Sequence, residues 1–171
     1  MLSSGSIHYM SFSEVMRDTV SGRFKTEDEL RQAFVEALKG ELPRFCSNKD
    51  VVNYILIPMI NRAIKERRKP DIRLSNMVIE VEPPGGDLSK GVMQLQQYMK
   101  DLASEMKDSA IVLYGVVTNG IDAEYYEFRS TRFELKIRGK LREVMGYVLN
   151  KFCKEKIPVI TPEDLVEILG V

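Results

Sequence analysis

Apolar residues at Ile72, Leu74, Met77, Ile79 and Val81 alternate with Asp71, Arg73, Glu80 and Glu82, the period-two pattern of paired strands with one face toward a core. Ser75-Asn76 between the two runs supplies a two-residue turn. That turn pairs Leu74 with Met77, Arg73 with Val78 and Ile72 with Ile79, and sets Asp71 across from Glu80. From Asp87 to about Lys107 the period changes to that of a helix, with Leu88, Val92, Leu95, Met99, Leu102 and Met106 on the buried stripe. Lys90, Gln94, Tyr98 and Asp101 share a neighbouring flank, where Gln94 and Tyr98 stack one turn apart. Pro83-Pro84 stop the strand before this helix, Gly85-Gly86 let the chain turn, and Asp87 or Ser89 caps the new helix.

Beyond it, Ile111-Val112-Leu113-Tyr114-Gly115-Val116-Val117 is a continuous, largely β-branched run, as expected of a central strand buried on both faces. Asn119-Gly120 then turns the chain into Ala123 to Phe128, giving a second hairpin. Upstream, Thr26 and Glu29 form a capping box for a helix to about Leu38, ended by Gly40 and Pro43. A second helix spans about Lys49 to Glu66, with Pro58 as the place for a kink. A helix from about Lys140 to Phe152 and a short one from Pro162, capped by Thr161, to Leu169 close the chain. Residues 1–25 read as an arm or a partly ordered helix around Phe12 to Val20, and residues 26–171 as a single domain. The order of elements, two paired strands, a crossover helix and a buried strand, suits an α/β fold: a mixed central sheet flanked by helices on both faces.

Composition narrows the chemistry. With 171 residues and 44% hydrophobic content the chain can bury a core without metal or disulfide support, and Cys46 and Cys153 read as reduced structural thiols. No apolar run approaches a membrane span and the first residues lack signal architecture, so a cytoplasmic protein is expected. His8 is the single histidine, which leaves carboxylates and lysines to carry any catalysis. The formal net charge is zero, yet bases cluster at Arg62, Lys65, Arg67, Arg68 and Lys69, and again at Arg129, Arg132, Lys136, Arg138, Lys140 and Arg142. Either cluster suits a phosphate backbone; a solvated helix end is the alternative for the first.

The hairpin is the chemically pointed element. Like charges on directly opposed positions weaken a strand pair unless a cation or donor lies between them, and Mg²⁺ prefers hard carboxylate oxygens. A polar face with scattered acids is the plainer alternative. Register decides between the two, because a slip of one residue would send Asp71 and Glu80 to opposite faces.

Pro70-Asp71, then Glu80, one spacer and Glu82, resembles the PD-(D/E)xK signature of the restriction-endonuclease-like nuclease superfamily, with Glu82 where that family most often has Lys. Gln94-Leu95-Gln96-Gln97-Tyr98 resembles the Gln-x-x-x-Tyr element of the RecB-like branch and of type I restriction nuclease domains, and Val117-Thr118-Asn119-Gly120 a strand-ending turn in the latter. The resemblance spans about residues 50–128 and implies a restriction-endonuclease-like αβββαβ core. It further implies a DNA phosphodiesterase in restriction, defence or repair, in which Asp71, Glu80 and the Val81 carbonyl hold Mg²⁺ or Mn²⁺. Glu82 would bind a second metal or take the water's proton, and Gln94 and Tyr98 would orient the scissile phosphate or the water; the missing cation would come from a second metal or from Lys90, which the helix start places nearby. Arg67, Arg68, Lys69 and Arg73 would meet the nucleic acid. The implied partner is DNA, with RNA an open alternative and no membrane, and the setting a homodimer or a larger multidomain machine. The rival expectation is a nuclease-like domain without chemistry, serving as a nucleic-acid-binding or assembly module.

Overall fold

Residues 9–66, 71–106 and 112–154 are described in a computed structural model of the chain. The expected hairpin forms at its expected register: β1 (Ile72–Leu74) and β2 (Met77–Val81) are antiparallel, with Ile72 opposite Ile79, Arg73 opposite Val78 and Leu74 opposite Met77. Ser75, at φ 56°, takes the left-handed conformation that the tight turn requires. Asn76 locks the turn to the sheet, since its Nδ2 donates to the Val112 carbonyl at 2.7 Å and its own carbonyl accepts from the Tyr114 N–H at 2.9 Å.

Helix α5 (Ser89–Met106) crosses over the sheet and returns the chain as β3 (Leu113–Thr118), which runs parallel to β2. Two antiparallel strands follow, β4 (Asp122–Arg129) and β5 (Arg132–Lys140), so the sheet order is β1-β2-β3-β4-β5. Helices cover both faces. On one side α1 (Phe12–Val20), α2 (Glu27–Phe45), α4 (Ile57–Glu66) and α6 (Leu141–Phe152) bury Ile72, Leu74, Met77, Ile79, Val81, Val116 and Tyr125. On the other, α5 closes Leu95 and Met99 over Val78, Leu113, Val117 and Tyr126. The molecule is therefore α/β, with a five-stranded mixed sheet between helices.

Several elements depart from expectation, each for a local reason. Of the two expectations for residues 1–25 the helix holds: α1 forms at the expected Phe12–Val20, and it packs Phe12 and Val15 into the core against α2 and α6 where an arm would not. Thr26 caps α2 as expected, its Oγ1 accepting the Glu29 N–H at 3.1 Å, but the Glu29 carboxylate returns to the Lys25 N–H and the Thr26 hydroxyl, so the reciprocal half of the box is not made, and α2 continues through Gly40 and Pro43 to Phe45. Gly40 serves a close approach instead, because a Cβ there would lie 2.6 Å from the Tyr9 Cβ. The second helix is interrupted: a short α3 (Lys49–Val51) passes into a π-helical turn at Val52–Leu56 before α4, placing the irregularity just ahead of Pro58, whose ring and missing N–H disturb the preceding turn. Strand β5 was not anticipated, although Phe133, Leu135 and Ile137 alternate with Arg132, Glu134, Lys136 and Arg138; the charges that suit an exposed edge strand made the stretch read as a basic run.

Cys46 and Cys153 are joined in a disulfide, which corrects the expectation of reduced thiols. They cap the C-terminal ends of α2 and α6, two helices that converge on one face of the sheet with their ends side by side, a proximity invisible at a sequence separation of 107. No strand precedes β1 among the described residues, so the first strand of the implied αβββαβ order is not seen there. The expected helix from Pro162 to Leu169 lies outside the described residues. No described helix is long and apolar enough to cross a membrane.

Candidate functional site

Alternation along β2 divides its side chains between the two cores. Ile79 and Val81 enter the four-helix side, whereas Val78, Glu80 and Glu82 point toward α5. The face that carries the acids is thus covered: Glu80 is 2% exposed and Glu82 4%. One ladder step beyond the Ile72–Ile79 pair, Asp71 comes beside Glu80. Its Oδ2 accepts the Val81 N–H at 2.8 Å, so a side-chain oxygen takes the place of the next backbone partner and holds the carboxyl at the edge of β2. Arg73 is half-buried on the same face.

The spacing of α5 above this face is set by two glycines. A Cβ on Gly91 would meet the Glu82 Oε1 at 2.6 Å and the Val117 Cγ1 at 2.7 Å; one on Gly115 of β3 would meet the Met99 Sδ at 2.5 Å. The first turn of α5 consequently lies directly on the Glu82 carboxyl. The helix begins after an Asx turn in which the Asp87 Oδ1 accepts from the Ser89 N–H at 3.0 Å and hydroxyl at 2.8 Å, bonds that hold the Asp87 carboxyl below its ordinary pKa.

Further along α5, Gln94 and Tyr98 are half-buried on the flank expected of them, and Lys90 is exposed in the first turn. Tyr98 reports on its surroundings. Burial raises its phenol pKa, and Glu80, Asp71 and Asp101 raise it further, so the ring stands within electrostatic reach of the carboxylate pair.

The Thr118-Asn119-Gly120 turn fastens the other end of the site. Asn119 Nδ2 donates to the Gly86 carbonyl at 2.7 Å, the Gly85 N–H donates to the Asn119 carbonyl at 2.9 Å, and Asn119 Oδ1 accepts the Ile121 and Asp122 N–H groups at 3.0 and 2.9 Å. The loop leaving Glu82 is thereby tied to the end of β3, which fixes where α5 starts.

Of the expected site residues, Asp71, Glu80, Val81 and Tyr98 come together, with Gln94 one turn from Tyr98. Glu82 shares their face but stands under Gly91, and Arg67, Arg68 and Lys69 lie outside the described residues. Among the described residues no three His, Cys, Asp or Glu side chains converge as a metal-binding group. The pair that does meet fits Mg²⁺ or Mn²⁺ by donor chemistry: two hard carboxylates with a backbone carbonyl alongside suit an ion that keeps several waters and takes the rest of its ligands from a phosphate.

Two features had no sequence signal. Registers place Glu80, Val117, Glu124 and Arg138 in one row across β2 to β5, and Glu124 opens into a cleft of about 660 Å³ beside the first turn of α5. Its carboxylate accepts from the Tyr126 hydroxyl at 3.2 Å and from Arg138 Nε at 2.9 Å; burial first, then Glu124, pushes the Tyr126 pKa up to about 12. On the opposite face Glu127 accepts from Lys151 Nζ at 2.6 Å and from the Tyr125 hydroxyl at 2.5 Å. Both clusters depend on pairing between β4 and its neighbours.

No family model, no curated protein and no solved structure matches the chain.

Proposed function

We propose that the chain is a divalent-metal-dependent nuclease that hydrolyses DNA phosphodiester bonds in restriction, defence or repair, on a variant of the restriction-endonuclease-like core. The observation that carries this reading is the register of β1 and β2, which sets Asp71 beside Glu80 under Tyr98. Glu80, Asp71 and the Val81 carbonyl would hold Mg²⁺ or Mn²⁺. When bound, the ion polarises a phosphoryl oxygen and lowers the pKa of a coordinated water.

The chain's own groups do the rest. The Val81 N–H keeps Asp71 oriented, and the covered face excludes bulk water from Glu80, which strengthens its electrostatic interactions. Tyr98, held protonated by burial and by the two carboxylates, donates to a phosphate oxygen, and Gln94 one turn away positions the same group. Lys90 at the exposed start of α5 supplies positive charge to the leaving side; Glu82, where the family has Lys, stands under Gly91 and would reach the attacking water only if the first turn of α5 shifts. The reading places the protein in the cytoplasm with DNA, where the Cys46–Cys153 bridge would be a redox-dependent staple. Nicking of supercoiled plasmid in Mn²⁺, lost in Asp71→Ala and Glu80→Ala, is the test. The rival, a nucleic-acid-binding or assembly module without chemistry, is favoured by the separation of Glu82 from the pair and predicts DNA retention with no cleavage in any divalent metal.

A further inference from the structure

The turn between β4 and β5 sets like charges face to face. Arg129 and Arg132 are register partners flanking Ser130-Thr131, and like charges directly opposed on neighbouring strands destabilise the pair unless a counter-ion lies between them. Both turn residues are left-handed, Ser130 at φ 50° and Thr131 at φ 69°, a conformation that Asn and Gly adopt readily and a β-branched residue resists. Strain of this kind is concentrated at ligand clamps. Beside the turn is a cavity of about 410 Å³ lined by Glu127, Arg129, Ser130, Arg132, Glu134 and Lys136. Its acids are already engaged: Glu127 by Lys151 and Tyr125, and Glu134 by Arg132 at 3.2 Å and Lys136 at 2.9 Å. Arg129 makes no ion pair with any described residue.

We propose that this pocket binds a phosphoryl oxyanion between the Arg129 and Arg132 guanidiniums, with Lys136 and the Ser130 hydroxyl as further donors and Glu134 as an internal competitor for the same cations. Guanidinium forks match the oxygens of a phosphoryl group, and two forks converging from opposed strands give the contact direction as well as charge. Because Glu127 bonds to Lys151 of α6, the pocket opens on the α6 side of the sheet. It lies at the far edge from β1 and on the opposite face from Glu80, so it is independent of the proposed cleavage site. The phosphoryl group has two possible sources, a small phosphorylated molecule or a backbone phosphate of a nucleic-acid strand.

Titration calorimetry with inorganic phosphate at matched ionic strength tests the pocket, and anisotropy with a single-stranded thymidine oligonucleotide separates the sources. Saturable phosphate binding is expected, weakened about tenfold or more in Arg129→Gln/Arg132→Gln. Glu134→Gln, which frees two cations, tightens it, a direction that a merely disturbed hairpin would not give. Lys140→Gln, an exposed lysine paired with Asp122 at the other end of β5, leaves it unchanged. Parallel loss of oligonucleotide binding in the double arginine variant assigns a strand phosphate; intact oligonucleotide binding assigns a small phosphorylated ligand. The proposal is overturned if phosphate does not bind the wild type and Glu134→Gln, if the double variant binds as well as the wild type, or if Lys140→Gln weakens binding as much.

Discussion

Reducing the Cys46–Cys153 bridge is expected to lower the melting temperature sharply while leaving the geometry around Asp71, Glu80 and Tyr98 in place. The bridge closes a loop at a sequence separation of 107, and the loop-entropy relation for a loop of that size gives about 5 kcal/mol of destabilisation on opening it. For a chain of this length each kcal/mol moves the midpoint by roughly 2–4 °C, so the full effect corresponds to about 10–20 °C. That is an upper bound, because residual structure in the unfolded chain already restricts the open loop. The bridge ties the ends of α2 and α6, on the far side of the sheet from α5, and touches neither Asp71 nor Tyr98. Calorimetry with and without a phosphine reductant, repeated on Cys46→Ser/Cys153→Ser, measures the shift, and the double variant should melt with the reduced protein. A native, unreduced sample that titrates two free thiols, or melts at the same temperature in reductant, would falsify the bridge as a structural element.

Three further outcomes bear on the site and the fold. Saturating Mn²⁺, at about a hundred times its dissociation constant, should stabilise the wild type by roughly 2.7 kcal/mol, about 5–11 °C in the midpoint, and Glu80→Gln should abolish that rise in a thermal shift assay. Gly91→Ala should cost about 1–3 kcal/mol through overlap with the Glu82 carboxyl and Val117; the cost should shrink when combined with Glu82→Ala, and strict additivity in denaturant melts would refute the close approach. For Glu127, burial pushes the carboxyl pKa up, but the bonds from Lys151 and Tyr125 outweigh it and leave it below the ordinary 4.5. Its stabilisation is therefore complete above about pH 4.5 and lost as pH falls through the lowered folded value. The stability gap between wild type and Glu127→Gln should narrow over that acid range, and a gap independent of pH would count against the network.

The parts of the fold that the sequence carried were those with one dominant period. The β1–β2 register followed from alternation plus a two-residue turn, and α5 from an apolar stripe whose seam Leu95 and Met99 indeed bury. What it hid depends on distant partners. Strand β5 has charged residues at five of its nine positions, alternating with Phe133, Leu135 and Ile137, and the charge that protects an exposed edge masked that alternation. The Cys46–Cys153 bridge and the Glu124–Arg138 and Glu127–Lys151 pairs join residues that only the sheet order brings together. Gly91 was legible as a residue and illegible as a contact: nothing along the chain says that α5 descends onto Glu82 there.

That descent changes what the acids on this face imply. On an open hairpin, Glu80 and Glu82 would be solvated surface groups with no need of explanation. Here α5 covers them, beside Val78, Val117 and Leu95, where aliphatic side chains would pack with no desolvation cost. Burying a carboxylate costs free energy even when it is well partnered, and replacing a buried ionic group with a well-packed apolar one is often neutral or stabilising. A fold shaped by stability alone would therefore place Val or Ile at these positions, as it does at Ile79 and Val81 on the other face of the same strand. Acids under a helix that approaches through a glycine are thus a cost to the fold, one that the proposed metal site would account for, with Asp71 held by the Val81 N–H and the Tyr98 phenol raised by the same carboxylates at the β1 edge.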